Sequence, residues 1–207
     1  MKSFRPVLLL YALPAMLVAL CPATHGALLY DRDAIRHGEL WRLWTGHWVH
    51  FSASHLTWNL LVLLVTGAGL EKLQPGWLLR YTLIAAPLIS LSFLVLAPGM
   101  EAYGGFSGLA IGAVTLLAIT QLALATGERT RWLAVLLLVA VKIVLEAGQD
   151  QALFSQFPTA AIHSSALAHA AGAGLALVFF LSRHWAFCFP LTGATPARPV
   201  PSGKTSQ

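Results

Sequence analysis

The stretch 104-GGFSGLAIGAVTLLAITQLALAT-126 decides what kind of fold this chain has. It opens with small residues, and from Ser107 to Thr126 it continues without one charged side chain. A helix needs about 20 mainly apolar residues to cross about 30 Å of hydrocarbon. We therefore predict a membrane span over Ser107–Thr126, and this span begins at a serine in a glycine-rich segment.

The composition of the whole chain is that of a membrane protein. Of its 207 residues 57% are hydrophobic and 10% are charged, and the mean hydropathy is +0.70. A soluble domain carries about 25% charged residues, so this chain has too few to cover a water-facing surface. We predict an all-α membrane protein, a six-transmembrane-helix bundle formed by a single domain at residues 1–185. The predicted spans are Pro6–Ala23, His55–Leu73, Trp77–Ala97, Ser107–Thr126, Trp132–Ala147 and Ile162–Leu181.

Lysine and arginine predict the orientation, because cytoplasmic loops collect them. One side of the predicted bundle receives Lys2, Arg5, Lys72, Arg80, Arg129, Arg131, Arg183, Arg198 and Lys204. The other side has Arg32, Arg36 and Arg42, with acidic residues that balance them. Both termini are therefore expected in the cytoplasm, in a bacterial inner membrane. The basic residues form no patch, so no nucleic-acid partner is expected.

Two segments outside the spans have compositions of their own. The first loop, residues 24–54, shows no evident secondary structure and carries Trp41, Trp44 and Trp48, which is typical of a segment lying in the membrane interface. The end of the chain, residues 186–207, is expected to be a disordered cytoplasmic tail. The first span has a second interpretation, since basic residues before an apolar run also resemble a secretory signal peptide. Its cleavage would leave the sidedness of the later spans unchanged.

Polar side chains inside membrane segments are costly and usually mark function. His55 and Asn59 lie in the first two turns of the second span, Ser107 begins the fourth, and His169 lies in the outer half of the sixth. At 1.5 Å per residue, His169 is about 10 Å into its span. Spans two, four and six all run from the outside inward, so these four side chains are expected to share the outer third of the bilayer.

These residue types together indicate nucleophilic catalysis. A serine hydroxyl becomes a good nucleophile when a base removes its proton, and His169 is the candidate base for Ser107. Gly105 and its glycine neighbours let a substrate backbone approach closely. His55 and Asn59 are four residues apart, share one helix face, and can donate hydrogen bonds to an oxyanion together with the free N–H groups at the start of the fourth span. Small residues recur every four positions in the sixth span and permit close helix packing: Ala168, Gly172 and Ala176.

Four motifs in this order resemble those of the rhomboid family of intramembrane serine proteases. They are Trp41-Arg42 in the first loop, the run 50-HFSASHLTWN-59, the GxSG pattern at residues 105–108, and 168-AHAAG-172. The resemblance covers nearly the whole chain. It implies that Ser107 is the nucleophile and His169 the base, that His55 and Asn59 assist the oxyanion, and that no metal or cofactor is needed. The implied partners are membrane-anchored protein substrates and the lipid bilayer.

The small size of the chain also resembles the rhombosortases, a rhomboid subfamily associated with C-terminal GlyGly-CTERM sorting tails of secreted proteins. We expect an intramembrane serine endopeptidase that cleaves transmembrane or tail-anchored segments of secreted or surface proteins near the outer face of the membrane. No carboxylate is evident beside His169, so the sequence predicts a Ser–His dyad. Lys142 and Glu146, one turn apart in the fifth span, are expected to form a structural ion pair, with a proton relay as the alternative.

Two other functions use the same polar residues. A catalytically inactive rhomboid relative could act as a binding protein, although both Ser107 and His169 are present. A small metal or proton transporter could bind a transition metal through imidazoles, namely those of His47, His50, His55, His163 and His169. The transporter hypothesis leaves the GxSG serine unexplained, and the sequence shows no internal repeat of the kind many transporters have. A zinc protease is a separate alternative, and the sequence lacks its HExxH motif.

Overall fold

The computed structural model describes residues 8–124, 127–149 and 166–188, and most of these residues are helical. A π-helical turn at Leu8–Ala12 leads into α1 (Leu13–Leu20). The first loop, expected to have no regular structure, contains α2 (His25–Leu28), α3 (Arg32–Arg36) and α4 (Arg42–Thr45), with 3-10 turns at Pro22–Thr24 and Gly46–Trp48. The long helices that follow are α5 (Ala53–Leu73), α6 (Trp77–Leu96), α7 (Ser107–Ala123), α8 (Arg129–Gln149) and α9 (Ala166–Cys188).

Among the described residues, three helices are long and apolar enough to cross a membrane: α5, α6 and the Ala166–Arg183 part of α9. A fourth is added if Leu9–Leu20 and Pro22–Leu28, which are bent by 100° relative to each other, form one broken span. Helix α7 is apolar but has 17 residues. Long helices thus occupy the positions predicted for spans two to six, while the count of six membrane-crossing helices stays a prediction.

The core of the bundle is the crossing of α7 and α9, where glycines bring two backbones into contact. A Cβ atom added to Gly172 would lie 2.0 Å from the carbonyl oxygen of Gly108, and one added to Gly108 would lie 2.7 Å from the carbonyl oxygen of Ala168. Helix α6 fills the remaining space with Tyr81, whose hydroxyl donates to the Gly172 carbonyl at 2.9 Å. The small-residue spacing read from the sequence is therefore a helix-packing surface, as predicted.

Arg32 joins the first loop to the end of α6. The last carbonyls of a helix lack some of the partners that the helix interior provides. The Arg32 guanidinium donates to the carbonyl oxygens of Phe93 at 2.5 Å, Leu94 at 3.3 Å and Ala97, and Phe93 and Ala97 also accept backbone N–H groups. The guanidinium also donates to Met100 at 3.0 Å, just before β2 (Ala102–Tyr103). Arg32, which the sequence places in the first loop, is thus 5% exposed and ties the loop to the bundle.

The strand β1 (Tyr30–Asp31) pairs with β2 in antiparallel register, with Tyr30 opposite Tyr103. This two-stranded ribbon places the segment before α7 against the first loop. Arg42 holds the loop from within by donating to the carbonyl oxygens of Gly26 at 2.7 Å and Leu29 at 2.8 Å. Arg42 thus has a structural role within the first loop.

A second connection between the first loop and α6 depends on Pro87, which lies inside this helix. Because proline has no N–H, the carbonyl of the residue four positions earlier loses its helical partner. That carbonyl belongs to Leu83, and the indole N–H of Trp44 donates to it at 3.1 Å. A tryptophan that the sequence assigned to the membrane interface therefore also satisfies a helix defect.

The α7–α9 crossing predicts opposite effects for two glycines of α9. Gly172→Ala forces its methyl group into the Gly108 carbonyl and should lower the free energy of unfolding by about 1–3 kcal/mol, the usual effect of overpacking. Gly174→Ala is the matched control, because nothing lies within 4 Å of its added Cβ and alanine is the better helix former by about 1 kcal/mol. Thermal unfolding of both variants in the same detergent measures the difference. Equal melting temperatures would contradict the backbone contact.

Candidate active site

Ser107 is the first residue of α7 and is half-buried. The residue before it, Phe106, has no side-chain hydrogen bond to the helix, so the first N–H groups of α7 are those that a helix leaves without internal acceptors. Tyr103 lies beneath the turn and donates to the carbonyl oxygen of Gly105 at 3.1 Å. Burial raises the pKa of Tyr103 to about 12, with hydrogen bonding to the Ser107 side chain and the Gly108 backbone acting in the opposite direction.

Gly105 brings the turn before Ser107 against two side chains of α5. Its φ of +113° favours glycine, and an added Cβ would lie 2.6 Å from His55 Nε2 and 3.2 Å from Asn59 Nδ2. Both side chains are buried, at 4% and 7% exposure. The sequence predicted that His55 and Asn59 share one helix face, and that face is turned to the backbone two residues before Ser107. The two nitrogens can donate to a negative oxygen formed beside the serine.

His169 enters the same region from α9 and is 1% exposed. Its chain neighbour Ala168 touches Gly108, the chain neighbour of Ser107, so the α7–α9 crossing brings the two predicted catalytic residues to one level. His169 also interacts electrostatically with His55. Among the described residues, no group forms a hydrogen bond with His169 Nε2. This nitrogen is therefore available to take a proton.

The structure corrects one sequence-based prediction, that no carboxylate lies beside His169. Glu146 on α8 reaches its ring, and the distance from Oε2 to Nδ1 is 2.6 Å. Oxygen Oε1 of the same carboxylate pairs with Lys142, so the expected Lys142–Glu146 pair is confirmed. The contact between Glu146 and His169 could not be predicted from the sequence, because hydropathy and spacing do not tell which face of α8 is turned toward α9.

His47 and His50 support the site from the first loop. One ring nitrogen of His47 lies 3.0 Å from the Ala86 carbonyl oxygen and the other 3.3 Å from that of Gly105, so His47 connects α6 to the turn before Ser107. The His50 ring packs 5.0 Å from the His55 ring, centroid to centroid. Burial lowers the pKa of His47 to about 4, against the hydrogen bonds to Ala86 and Gly105, and lowers that of His50 to about 3, with His55 adding to the effect.

The five histidines considered for a transition metal do not assemble in the described part of the chain. His163 lies outside the described residues. Within them, no group of three or more His, Cys, Asp or Glu side chains is arranged to hold a metal ion. What the described groups can perform is acyl transfer: a hydroxyl at a helix start, an imidazole at the same level, and donors beside both.

Comparison with known proteins adds one match. Among protein-family models, the Rhomboid domain matches residues 37–184, which is more than half of the chain and includes every site residue described above. No curated protein matches the chain.

Gly105 provides a test of how closely α5 approaches the turn. Gly105→Ala combines an unfavourable positive φ, which costs about 1–3 kcal/mol, with a collision against His55. Gly38→Ala is the control, because Gly38 also has a positive φ, of +104°, but nothing lies within 4 Å of its added Cβ. We expect Gly105→Ala to lower the melting temperature more than Gly38→Ala. A smaller loss at Gly105 would mean that His55 does not lie against the turn.

Burial of His47 predicts an effect of pH on stability. Its pKa is about 4 in the folded protein and about 6.5 in an unfolded chain, so the unfolded state binds more protons between these values. Stability should therefore be present above pH 6.5 and fall as the pH drops toward 4, by up to about 3 kcal/mol for this residue.

The measurement is the melting temperature between pH 7.5 and 4 for the native protein, His47→Gln, and His37→Gln at an exposed histidine. The pH dependence should be weaker in His47→Gln than in the other two. Three identical curves would show that His47 is not held neutral by the fold.

Proposed function

The chain belongs to the rhomboid family, whose members are intramembrane serine proteases, and we propose that it is an active one. The proposed activity is that of a serine endopeptidase with Ser107 as nucleophile and His169 as general base. Its apolar helices and its family indicate a multi-pass membrane protein. Its substrates are then membrane-anchored proteins, cut near the outer face of an inner membrane in which both termini of the enzyme are cytoplasmic.

The observation that carries this proposal is the state of the His169 ring. The ring is buried, its Nδ1 is engaged by Glu146 Oε2, and its Nε2 has no hydrogen-bond partner among the described residues. A histidine that only stabilised a helix bundle would be expected to use both nitrogens, because an unsatisfied buried polar atom costs about 1–3 kcal/mol. An open Nε2 beside the start of α7 supports a base that waits for the Ser107 proton.

The proposed reaction follows from these positions. Ser107 Oγ attacks the scissile carbonyl carbon while its proton passes to His169 Nε2, and the carbonyl electrons move onto oxygen. The C–N bond then breaks, the leaving amine takes the proton from Nε2, and an acyl-enzyme remains. Water then attacks the ester carbonyl carbon while the same nitrogen takes one of its protons. The ester bond to Ser107 Oγ breaks, Oγ regains the proton from Nε2, and the new carboxylic acid leaves and ionises.

The oxyanion formed in these steps needs donors that are already in place. The N–H groups at the start of α7 provide backbone donors. His55 Nε2 and Asn59 Nδ2 face the adjoining turn at Gly105 and support the same role. Loss of one such donor typically lowers kcat about 10²–10³-fold.

The substrate class proposed is the C-terminal GlyGly-CTERM sorting tail of secreted proteins. This narrower assignment rests on the resemblance of this small chain to rhombosortases. A protease can cut only an unwound backbone, and unwinding a helix in hydrocarbon is costly because its backbone groups lose their partners. Glycines make the helix of such a tail less stable and therefore easier to unwind.

An activity-based fluorophosphonate probe tests the proposal directly. Native protein purified in detergent should be labelled, and labelling should be lost in Ser107→Ala and in His169→Ala, since the phosphorus atom needs an activated serine. Ser182→Ala is the control, because Ser182 lies near the other end of the α9 span and donates only to the Phe179 carbonyl. Labelling that survives in Ser107→Ala, or its absence in folded native protein, would favour the inactive-relative function.

A further inference from the structure

Helix α8 brings one buried ion pair into an otherwise apolar stretch. Its outward-facing side chains are large and apolar, with Leu137, Leu138 and Val144 each more than 60% exposed. Lys142 and Glu146 turn the other way. The Glu146 side chain is 1% exposed and that of Lys142 is 18% exposed.

We propose that Glu146 is a positioning residue that completes a Ser107–His169–Glu146 triad, with Lys142 holding the carboxylate ionised. This inference rests on the proposed protease function and deepens it, since Glu146 acts through His169 and does not touch the substrate. Ser107 and His169 keep the roles given above. Glu146 stays a carboxylate throughout.

The geometry selects one form of the His169 ring. A neutral imidazole has one N–H and one lone pair. Glu146 Oε2, 2.6 Å from Nδ1, is an acceptor when ionised, so the N–H is placed on Nδ1 and the lone pair on Nε2. This is the form that can accept the Ser107 proton, and the carboxylate then lies next to the imidazolium that results.

Lys142 explains why the buried carboxylate keeps its charge. Taking an isolated carboxylate out of water favours its protonated form, and a protonated Glu146 could donate to Nδ1 and leave the proton on Nε2. The Lys142 ammonium, bound to Oε1, stabilises the negative charge.

In the ranges that the structure describes, the charged and titratable groups around His169 come from two helices besides its own. Helix α8 provides Glu146 and Lys142, and α5 provides His55. Among the described residues, Glu146 is the one carboxylate in contact with the ring. The described part of the chain thus offers no second acid that could replace it.

The closing experiment measures fluorophosphonate labelling of the full chain in detergent as two constants, the maximal rate kinact and the probe concentration for half-maximal rate, KI. Glu146→Gln keeps the shape of the side chain and removes its charge. We expect kinact to fall about 10²–10⁴-fold, as happens when the orienting acid of a triad becomes an amide, with KI unchanged. Glu146→Asp restores the charge at a shorter reach and should recover part of kinact.

Two controls separate this role from a structural one. Glu128→Gln makes the same substitution at the start of α8, where the side chain is 55% exposed and pairs with Arg131, and should leave both constants unchanged. Lys142→Met should lower kinact less than Glu146→Gln does, again at constant KI. If Glu146→Gln does not fold, Glu146→Asp and Lys142→Met decide, and native kinact in both overturns the triad.

The outcomes distinguish this inference from the proposed function. Labelling that requires Ser107 and His169 but is equally fast in Glu146→Gln leaves the protease and overturns the triad. A loss in Glu146→Gln that Glu146→Asp does not relieve, accompanied by a lower melting temperature, shows a structural ion pair and overturns it as well. Native protein that is folded and unlabelled removes the protease and the triad together.

Discussion

The contact between the backbones of α7 and α9 brings Ser107 and His169 to the same level of the structure. Two helices approach this closely only where side chains are absent, and here Gly108 and Gly172 meet with Ala168 beside them. Ser107 precedes Gly108 and His169 follows Ala168. The small residues at the crossing are therefore chain neighbours of the proposed nucleophile and base. In a membrane, helix association depends on such packing because lipid is as apolar as the side chains. The proposed pairing of Ser107 with His169 therefore depends on this packing.

The first loop determines the conformation of the turn that leads into α7. Arg32 holds the end of α6, β1 pairs with the strand before the turn, and His47 contacts the Gly105 carbonyl. In addition, Trp44 donates to the Leu83 carbonyl that Pro87 leaves without a helical partner. A loop that satisfies orphan carbonyls of the bundle is tied to it at several points. The positive φ of Gly105 is maintained by this support, and it brings the backbone up to His55 and Asn59.

Local sequence rules were sufficient for the residues whose roles depend on spacing along one helix. The four-residue separation of His55 and Asn59 predicted a shared face, and the small residues of the sixth span predicted close packing. Local sequence rules were insufficient for Glu146, because its contact with His169 depends on how α8 is rotated against α9. A signal was present in the weak hydropathy of the fifth span, which comes from Lys142 and Glu146. Sequence reasoning assigned these residues to each other, and the third partner requires the tertiary arrangement.

The cost of the Lys142–Glu146–His169 cluster is itself an argument about its role. A buried ion pair is often no more stable than apolar residues of the same volume, since desolvation offsets the attraction between the charges. Helix α8 could instead pack apolar side chains against α9 at positions 142 and 146, with no buried charge. A stability account therefore gives no reason for a carboxylate here. Catalysis does give a reason, because the imidazole must then receive a proton on Nε2. An ionised acceptor at Nδ1 both fixes the orientation of the ring and lowers the energy of the imidazolium.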